Sequence, residues 1–334
     1  MKEYIVDGKS EGLTLHHYLQ RVLPGAGGSL LYKQLRKKNI NLNKRKANGS
    51  ERLVAGDSVQ VFFSDETITK FEGEKQIQTD ESISVASGNI DVIFENEDIL
   101  IINKPADMLS QKAEKHDISL NEEMLAYLLK KGEITEESMK ICKPSVCNRL
   151  DRNTSGIVLC GKTIKGLQSL SLALKDRSAH KYYRCVVVGE VRGAASYEGF
   201  LTKARSHNQV RITKEPVNED SQYICTKYRP LGSVVLKPAG DNELTVTCLE
   251  VLLVTGRSHQ IRAHLASIGH PIAGDPKYGK SGVNKYLRKH YGVKRQLLHA
   301  YRILLPGMEE IKCPLPADMS QFFGFRKKYG DLEK

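Results

Sequence analysis

The sequence predicts an α+β protein: a large mixed β-sheet flanked by helices, with a small α/β module at the amino terminus. Three observations lead there. Short apolar runs, Ile99-Leu100-Ile101-Ile102, Ile157 to Cys160, Val186-Val187-Val188 and Leu249 to Val254, have the length and branching of strands inside a sheet. Stretches of helical period intervene at about 119–131, 163–176 and 259–268. The strands are unequally spaced and joined by glycine-rich turns, which argues against a regular βαβ array.

At the amino terminus, Leu15, Leu19 and Val22 recur at helical spacing before Pro24, and Leu30 to Lys38 repeats the pattern after the break Gly25 to Gly28. Ile40-Asn41-Leu42-Asn43 alternates like a half-buried strand, and Gly56 to Val61 reads as a turn and a strand. These elements make a module over 1–65. From Glu66 to Asn89 the chain is polar and aperiodic, with five acidic and two basic residues, and is expected to be a linker. The main domain is expected over 90–326. Within it, Ile164, Leu167 and Leu174, and Ile261, Leu265 and Ile268, are expected in the core.

Charge narrows the partner. Lys and Arg outnumber Asp and Glu by 51 to 39, a net charge of +12, which favours a polyanion and above all a nucleic acid. Seven basic residues and no acidic one fall between 33 and 46: Lys33, Arg36, Lys37, Lys38, Lys44, Arg45 and Lys46. They span a helix end, a strand and a turn, so they form a patch and not one helix stripe. No apolar stretch is long enough for a membrane span and no signal peptide is visible, so a cytoplasmic protein is expected, acting as a monomer without membrane contact. The seven scattered cysteines look like small buried hydrophobes of a reducing compartment.

Three stretches carry chemistry. Asn148-Arg149-Leu150-Asp151-Arg152-Asn153-Thr154-Ser155-Gly156 runs into an apolar strand and holds an acid at the mouth of a core; alone, it fits a turn capped by Asp151 equally well. Gly256-Arg257-Ser258-His259-Gln260-Ile261-Arg262-Ala263-His264 supplies cations, and a partly buried Asp151 needs one, from Arg262 or Arg257. Lys181-Tyr182-Tyr183-Arg184 opens a strand on which Lys181 and Tyr183 share a face. His259 and His264 lie about 140° apart around a helix and cannot easily share an ion, and Cys142 and Cys147 lack a second pair, so no metal is expected.

With Ile102-Asn103-Lys104-Pro105 and Asp275-Pro276-Lys277-Tyr278-Gly279, these stretches in this order resemble the RluA family of RNA pseudouridine synthases. The amino-terminal module resembles the RNA-binding module of ribosomal protein S-four through Leu15 to Leu23, Lys33 to Lys38, Asn41-Leu42-Asn43 and Gly56 to Val59, with Asn43-Lys44 in place of the usual Asn-Gly turn. The first resemblance implies a twisted mixed sheet with a central cleft, and no cofactor. It makes Asp151 the catalytic aspartate, Arg262 its partner, Tyr183 the ring that stacks on the flipped uracil and Arg149 the side chain that enters the helix. Lys181, Arg257 and Gln260 are expected at the substrate. Asn148 and Asp107 depart from the family's usual His and Gly.

The expected substrate is structured RNA, by resemblance large-subunit ribosomal RNA. The alternatives are a non-catalytic RNA-binding or ribosome-assembly protein on the same fold, against which Asp151, Tyr183 and Arg262 argue, and an RNA methyltransferase, which would need a glycine-rich nucleotide loop that the sequence lacks.

Overall fold

The computed structural model describes residues 1–73, 81–203, 210–236 and 243–324. They fall into two compact units. The first comprises Met1–Ile102, Ser110–Arg149 and Val158–Leu172; the second comprises Asn103–Leu109, Leu150–Ile157 and Ala173–Lys334.

The first unit opens with β1 (Lys2–Ile5), α1 (Leu15–Val22), α2 (Gly28–Arg36), β2 (Ile40–Leu42), β3 (Arg45–Lys46) and β4 (Ser58–Val61), whose strands form a sheet in the order β1-β4-β2-β3. Thr14 caps α1 by accepting the His17 N–H, and the helix buries Leu15, Tyr18 and Leu19, while α2 buries Leu31 and Leu35. Both helices fall where the spacing of Leu15, Leu19 and Val22 and the periodic stretch from Leu30 to Lys38 predict them. The same core takes in Cys142 and Ile164, so residue 65 is no break in packing. The expected linker also differs from what is found. It contains α3 (Asp65–Glu72) and α4 (Glu81–Val85), and residues 74–80 lie outside the described residues. Ser64 caps α3, with Asp65 and Glu66 in its first turn, so the polar residues at the beginning of the expected linker open a helix. There follow β5 (Val92–Glu95), β6 (Ile99–Lys104), whose last two residues belong to the second unit, α5 (Leu120–Lys130), α6 (Glu136–Ile141) and β7 (Ser145–Val146). α5 starts on a capping box between Ser119 and Glu122.

Next come β8 (Ser155–Gly161) and α7 (Ile164–Lys175), each with residues in both units. The second unit continues with β9 (His180–Val188), β10 (Ala195–Lys203), β11 (Val210–Thr213), β12 (Gln222–Leu236) and β13 (Leu244–Leu253). It ends with α8 (Gln260–Ser267), α9 (Ser281–Tyr291), β14 (Leu298–Leu304), β15 (Ile311–Lys312) and α10 (Ala317–Phe323). Its strands run β11-β10-β12-β13-β9-β14. β14 is antiparallel to β9 but parallel to the start of β8, which makes the sheet mixed, as expected. Val186, Val188, Val246, Leu287, Met319 and Phe322 pack in its core.

One glycine fixes how the loop before β8 meets this sheet. Gly156 has φ +111°, and a Cβ there would lie 2.2 Å from the Ala300 carbonyl oxygen, so only glycine lets β8 approach β14 this closely. Ala300 pairs with Gly156 on one side and Tyr183 on the other. All seven cysteines are free and six are buried. Among the described residues no helix is long and apolar enough to cross a membrane.

Candidate active site

The loop that carries Asp151 is held residue by residue. Thr154 N–H donates to the Asp151 carbonyl at 2.9 Å and closes the turn. Lys104, fully buried, donates to the carbonyls of Arg152 (3.0 Å), Pro105 (2.8 Å) and Met108 (2.7 Å). Arg295 reaches the Asn153 carbonyl at 3.0 Å while its other nitrogens pair with Asp318 at 2.7 and 2.9 Å. Gln296 donates to Thr154 Oγ1 at 3.3 Å, and Ser155 Oγ meets His299 Nδ1 at 2.9 Å. An ammonium has three protons, and here three carbonyls take them. Burial, helped by the Arg295 charge and opposed by Asp151 and Asp107, brings the Lys104 pKa down to about 7. Asp107 itself stands at φ +64°, the left-handed turn for which glycine is the usual residue.

The Asp151 side chain keeps 27% of its surface exposed, whereas that of Arg262 keeps 5% and that of Asp275 none. Arg262 Nη1 donates to Asp151 Oδ2 at 2.7 Å. Its Nε and Nη2 grip Asp275 at 2.7 and 2.9 Å, the planar fork matching a carboxylate as no lysine could. The expectation that Asp151 is the partner of Arg262 therefore needs enlarging: Arg262 serves two acids, and the more buried is Asp275. Burial works to raise the Asp275 pKa, but Arg262 and the N–H groups of Lys277 and Tyr278 hold it below the usual carboxylate range.

Tyr183 is buried on β9, and burial first, the Asp151 charge second, push its phenol pKa up. Lys181, two residues earlier, is half-buried, and burial lowers its pKa. Arg257 is exposed. Gln260 differs from expectation. It is buried, its Oε1 accepting from Thr255 Oγ1 (2.9 Å) and the Arg257 N–H (3.1 Å), and its Nε2 donating to the Cys225 carbonyl (3.1 Å) and Thr226 Oγ1 (3.0 Å). Its amide is thus occupied in holding the start of α8. Arg149 is exposed and belongs to the first unit, where Asn148 accepts the Leu159 N–H at 2.7 Å. Lys33, Arg36, Lys37, Lys38, Lys44, Arg45 and Lys46 are all exposed. Lys38, Asn43 and Lys44 have φ of 61°, 50° and 62°, so Asn43-Lys44 makes the same hairpin turn that Asn-Gly would.

The sequence alone does not single out four of these groups: Asp275 and Lys104 stand in motifs without an assigned role, Arg295 carries no local signal, and His259 stands out only beside His264, at a spacing unsuited to a shared ion. Among the described residues no group of three His, Cys, Asp or Glu could hold a metal ion. His264 is buried with both ring nitrogens lacking a hydrogen-bond partner among the described residues, and burial lowers its pKa to about 4. His259 is half-buried, its Nε2 3.9 Å from Asp151 Oδ2 and its Nδ1 3.1 Å from Tyr278 Oη.

Residues 98–267 match the family model described as RNA pseudouridylate synthase, about half of the chain. A ribosomal large subunit pseudouridine synthase C of Rickettsia felis is 30% identical over 295 residues, covering 87% of this chain and 88% of its own length. A ribosomal large subunit pseudouridine synthase D of Nitrosomonas europaea is 27% identical over 326 residues, covering 95% of this chain and 86% of its own. Among solved structures, human RNA pseudouridylate synthase domain containing 4 is similar in fold, with TM-score 0.53 and 18% identity over 73% of this chain and 94% of that one.

Proposed function

The chain belongs to the RNA pseudouridylate synthase family, and from that premise we propose that Asp151 is the carboxylate on which its isomerisation of uridine turns, with large-subunit ribosomal RNA as substrate. The observation that carries the reading is the contrast within one ion-paired group: Asp275 and Arg262 are buried, and Asp151, bonded to the same guanidinium, keeps an accessible face. Buried partners fix the carboxylate, and exposure leaves it free to react.

Isomerisation breaks the C1′–N1 glycosidic bond, turns the uracil and joins its C5 to the same C1′, with the C5 proton lost and a proton gained at N1 so that the atoms balance. Asp151 can do this by attacking the sugar, by attacking the base, or by taking a sugar proton. Each route needs a base drawn out of its stack, at a cost of a few kcal/mol. In this reading Tyr183 supplies the ring against which the base rests, Arg149 fills the gap left in the RNA, and Lys181 and Arg257 meet phosphate. Gln260 acts indirectly, by holding the turn that carries Arg257. The basic face from Lys33 to Lys46 adds sequence-independent affinity, and its attachment raises the effective concentration of RNA at the site. The ribosomal target rests on the names of the relatives.

Asp151→Asn, which keeps size and removes charge, is expected to abolish pseudouridine formation in total RNA while RNA affinity stays within a few fold; turnover near the wild-type rate, with deamidation excluded by mass spectrometry, would refute the assignment. Deleting the gene and mapping the lost pseudouridines tests the target. Losses confined to transfer RNA would refute the ribosomal reading.

A further inference from the structure

His259 is the one residue of the Gly256 to His264 stretch whose backbone lies in the left-handed region, with φ +55° and ψ 13° at the start of α8. The turn around it is fixed by the Gln260 N–H to the Arg257 carbonyl (3.1 Å), the Ala263 N–H to the His259 carbonyl (2.9 Å), and the Gln260 side chain on the Arg257 N–H. A conformation that an L-residue avoids is thus imposed on a histidine, and the imidazole is delivered to the Asp151 carboxylate.

The proton on that ring can be placed from its neighbours. The Val210 N–H donates to Tyr278 Oη at 3.0 Å, so the phenol already accepts one bond and has its own proton to give. Its partner at 3.1 Å is His259 Nδ1. Burial above all raises the Tyr278 pKa, so the phenol keeps that proton near neutral pH. The Arg262 guanidinium, 5.4 Å from the ring centroid of Tyr278, helps to hold it in place. With Nδ1 accepting, a neutral imidazole carries its hydrogen on Nε2, the nitrogen 3.9 Å from Asp151 Oδ2. That separation is beyond a direct hydrogen bond, and it sets the N–H beside the reacting carboxylate.

Each route open to Asp151 puts negative charge on the uracil carbonyl oxygens: the C1′–N1 electron pair leaves with the base, or attack on the ring makes an enolate. A fixed N–H donor at the carboxylate is worth more to that charged state than to neutral uridine. We infer that His259 is a further catalytic residue, a neutral Nε2–H donor set by Tyr278 that hydrogen-bonds a uracil carbonyl while the base is detached and turned. The inference rests on Asp151 being the reacting carboxylate. His259 transfers no proton in it; it only donates a hydrogen bond. The charged groups that face the ring are Asp151, Arg262, Lys277 and Asp275. Burial, with Arg262 and Lys277, lowers its pKa against the two acids, so the ring is neutral at neutral pH.

Two measurements test this on the full chain. Ring 15N spectra, with His259→Asn for assignment, are expected to show a neutral imidazole protonated on Nε2 at pH 7, and Tyr278→Phe is expected to lose that preference. Single-turnover assays on total RNA from cells lacking the gene are expected to show His259→Gly about 100-fold slower, with RNA affinity within a few fold and thermal stability undiminished, because glycine is at ease at this φ. A ring protonated on Nδ1, an imidazolium at pH 7, or a wild-type rate for His259→Gly would each overturn the inference. So would a loss explained wholly by weaker RNA binding. The spectra need no turnover, so a failure of the Asp151 reading and a failure of this one are distinguishable.

Discussion

Around Asp151 three basic side chains have set places: Arg262 lies between two carboxylates, Lys104 among three carbonyls, and Arg295 between Asp318 and the Asn153 carbonyl. The seven basic residues from Lys33 to Lys46 are exposed and carry their charge outward. Both regions also hold non-glycine residues at positive φ, Asp107 and His259 in the first, Lys38, Asn43 and Lys44 in the second. The difference teaches where electrostatics become structural. A buried charge is tied to stability through the cost of leaving its partner alone, whereas an exposed one is screened and acts mainly on a partner's phosphates.

The sharpest way to break this comparison is Arg262→Met, which strands the fully buried Asp275. It is expected to destabilise by about 3–5 kcal/mol in urea melts. Adding Asp275→Asn should recover much of the loss, since the asparagine oxygen can still accept the Lys277 and Tyr278 N–H groups and no lone buried charge remains. Adding Asp151→Asn instead should recover little, because Asp275 stays stranded. Equal recovery by the two would mean that Asp275 is not the main partner.

A pH series separates buried from exposed groups at an intermediate scale. His264 has a folded pKa near 4, against about 6.5 when unfolded. Between these values the unfolded chain binds a proton that the folded chain refuses, so stability is lost as pH falls from 6.5 toward 4. The contribution is about 3 kcal/mol at most, by the usual 1.36 kcal/mol per pKa unit. His264→Leu is expected to flatten this limb relative to wild type, with the similarly buried His299, also near pKa 4, still contributing. Parallel pH profiles for the two proteins would count against a buried neutral His264.

The smallest effect is expected on the exposed face. Lys44→Gly removes a left-handed lysine from the hairpin turn and should stabilise by up to about 1 kcal/mol. If Lys44 meets a phosphate, the slope of log affinity against log salt should fall by about 0.7–0.9. An unchanged slope would place Lys44 outside the RNA contact.

What the sequence by itself determined is what local order can encode. The spacing of Leu15 and Leu19, and of Leu31 and Leu35, marks helices because a helix repeats every 3.6 residues; the apolar runs mark strands; the charges from Lys33 to Lys46 lie together because they are neighbours in the chain. The motifs around Asp151, Tyr183 and Arg262 pointed to the site through resemblance. Only the tertiary structure decided how those groups are shared out. Arg262, near the start of α8, meets Asp275 from beyond the end of that helix, Lys104 reaches Arg152 from β6, and Gln260, polar and expected at the substrate, is turned inward to Cys225 and Thr226. The structure also turned His259 from a rejected metal ligand into a neighbour of Asp151. The physical reason is that the energy of a polar side chain depends on desolvation and on partners distant in sequence, and neither is a property of its neighbours along the chain.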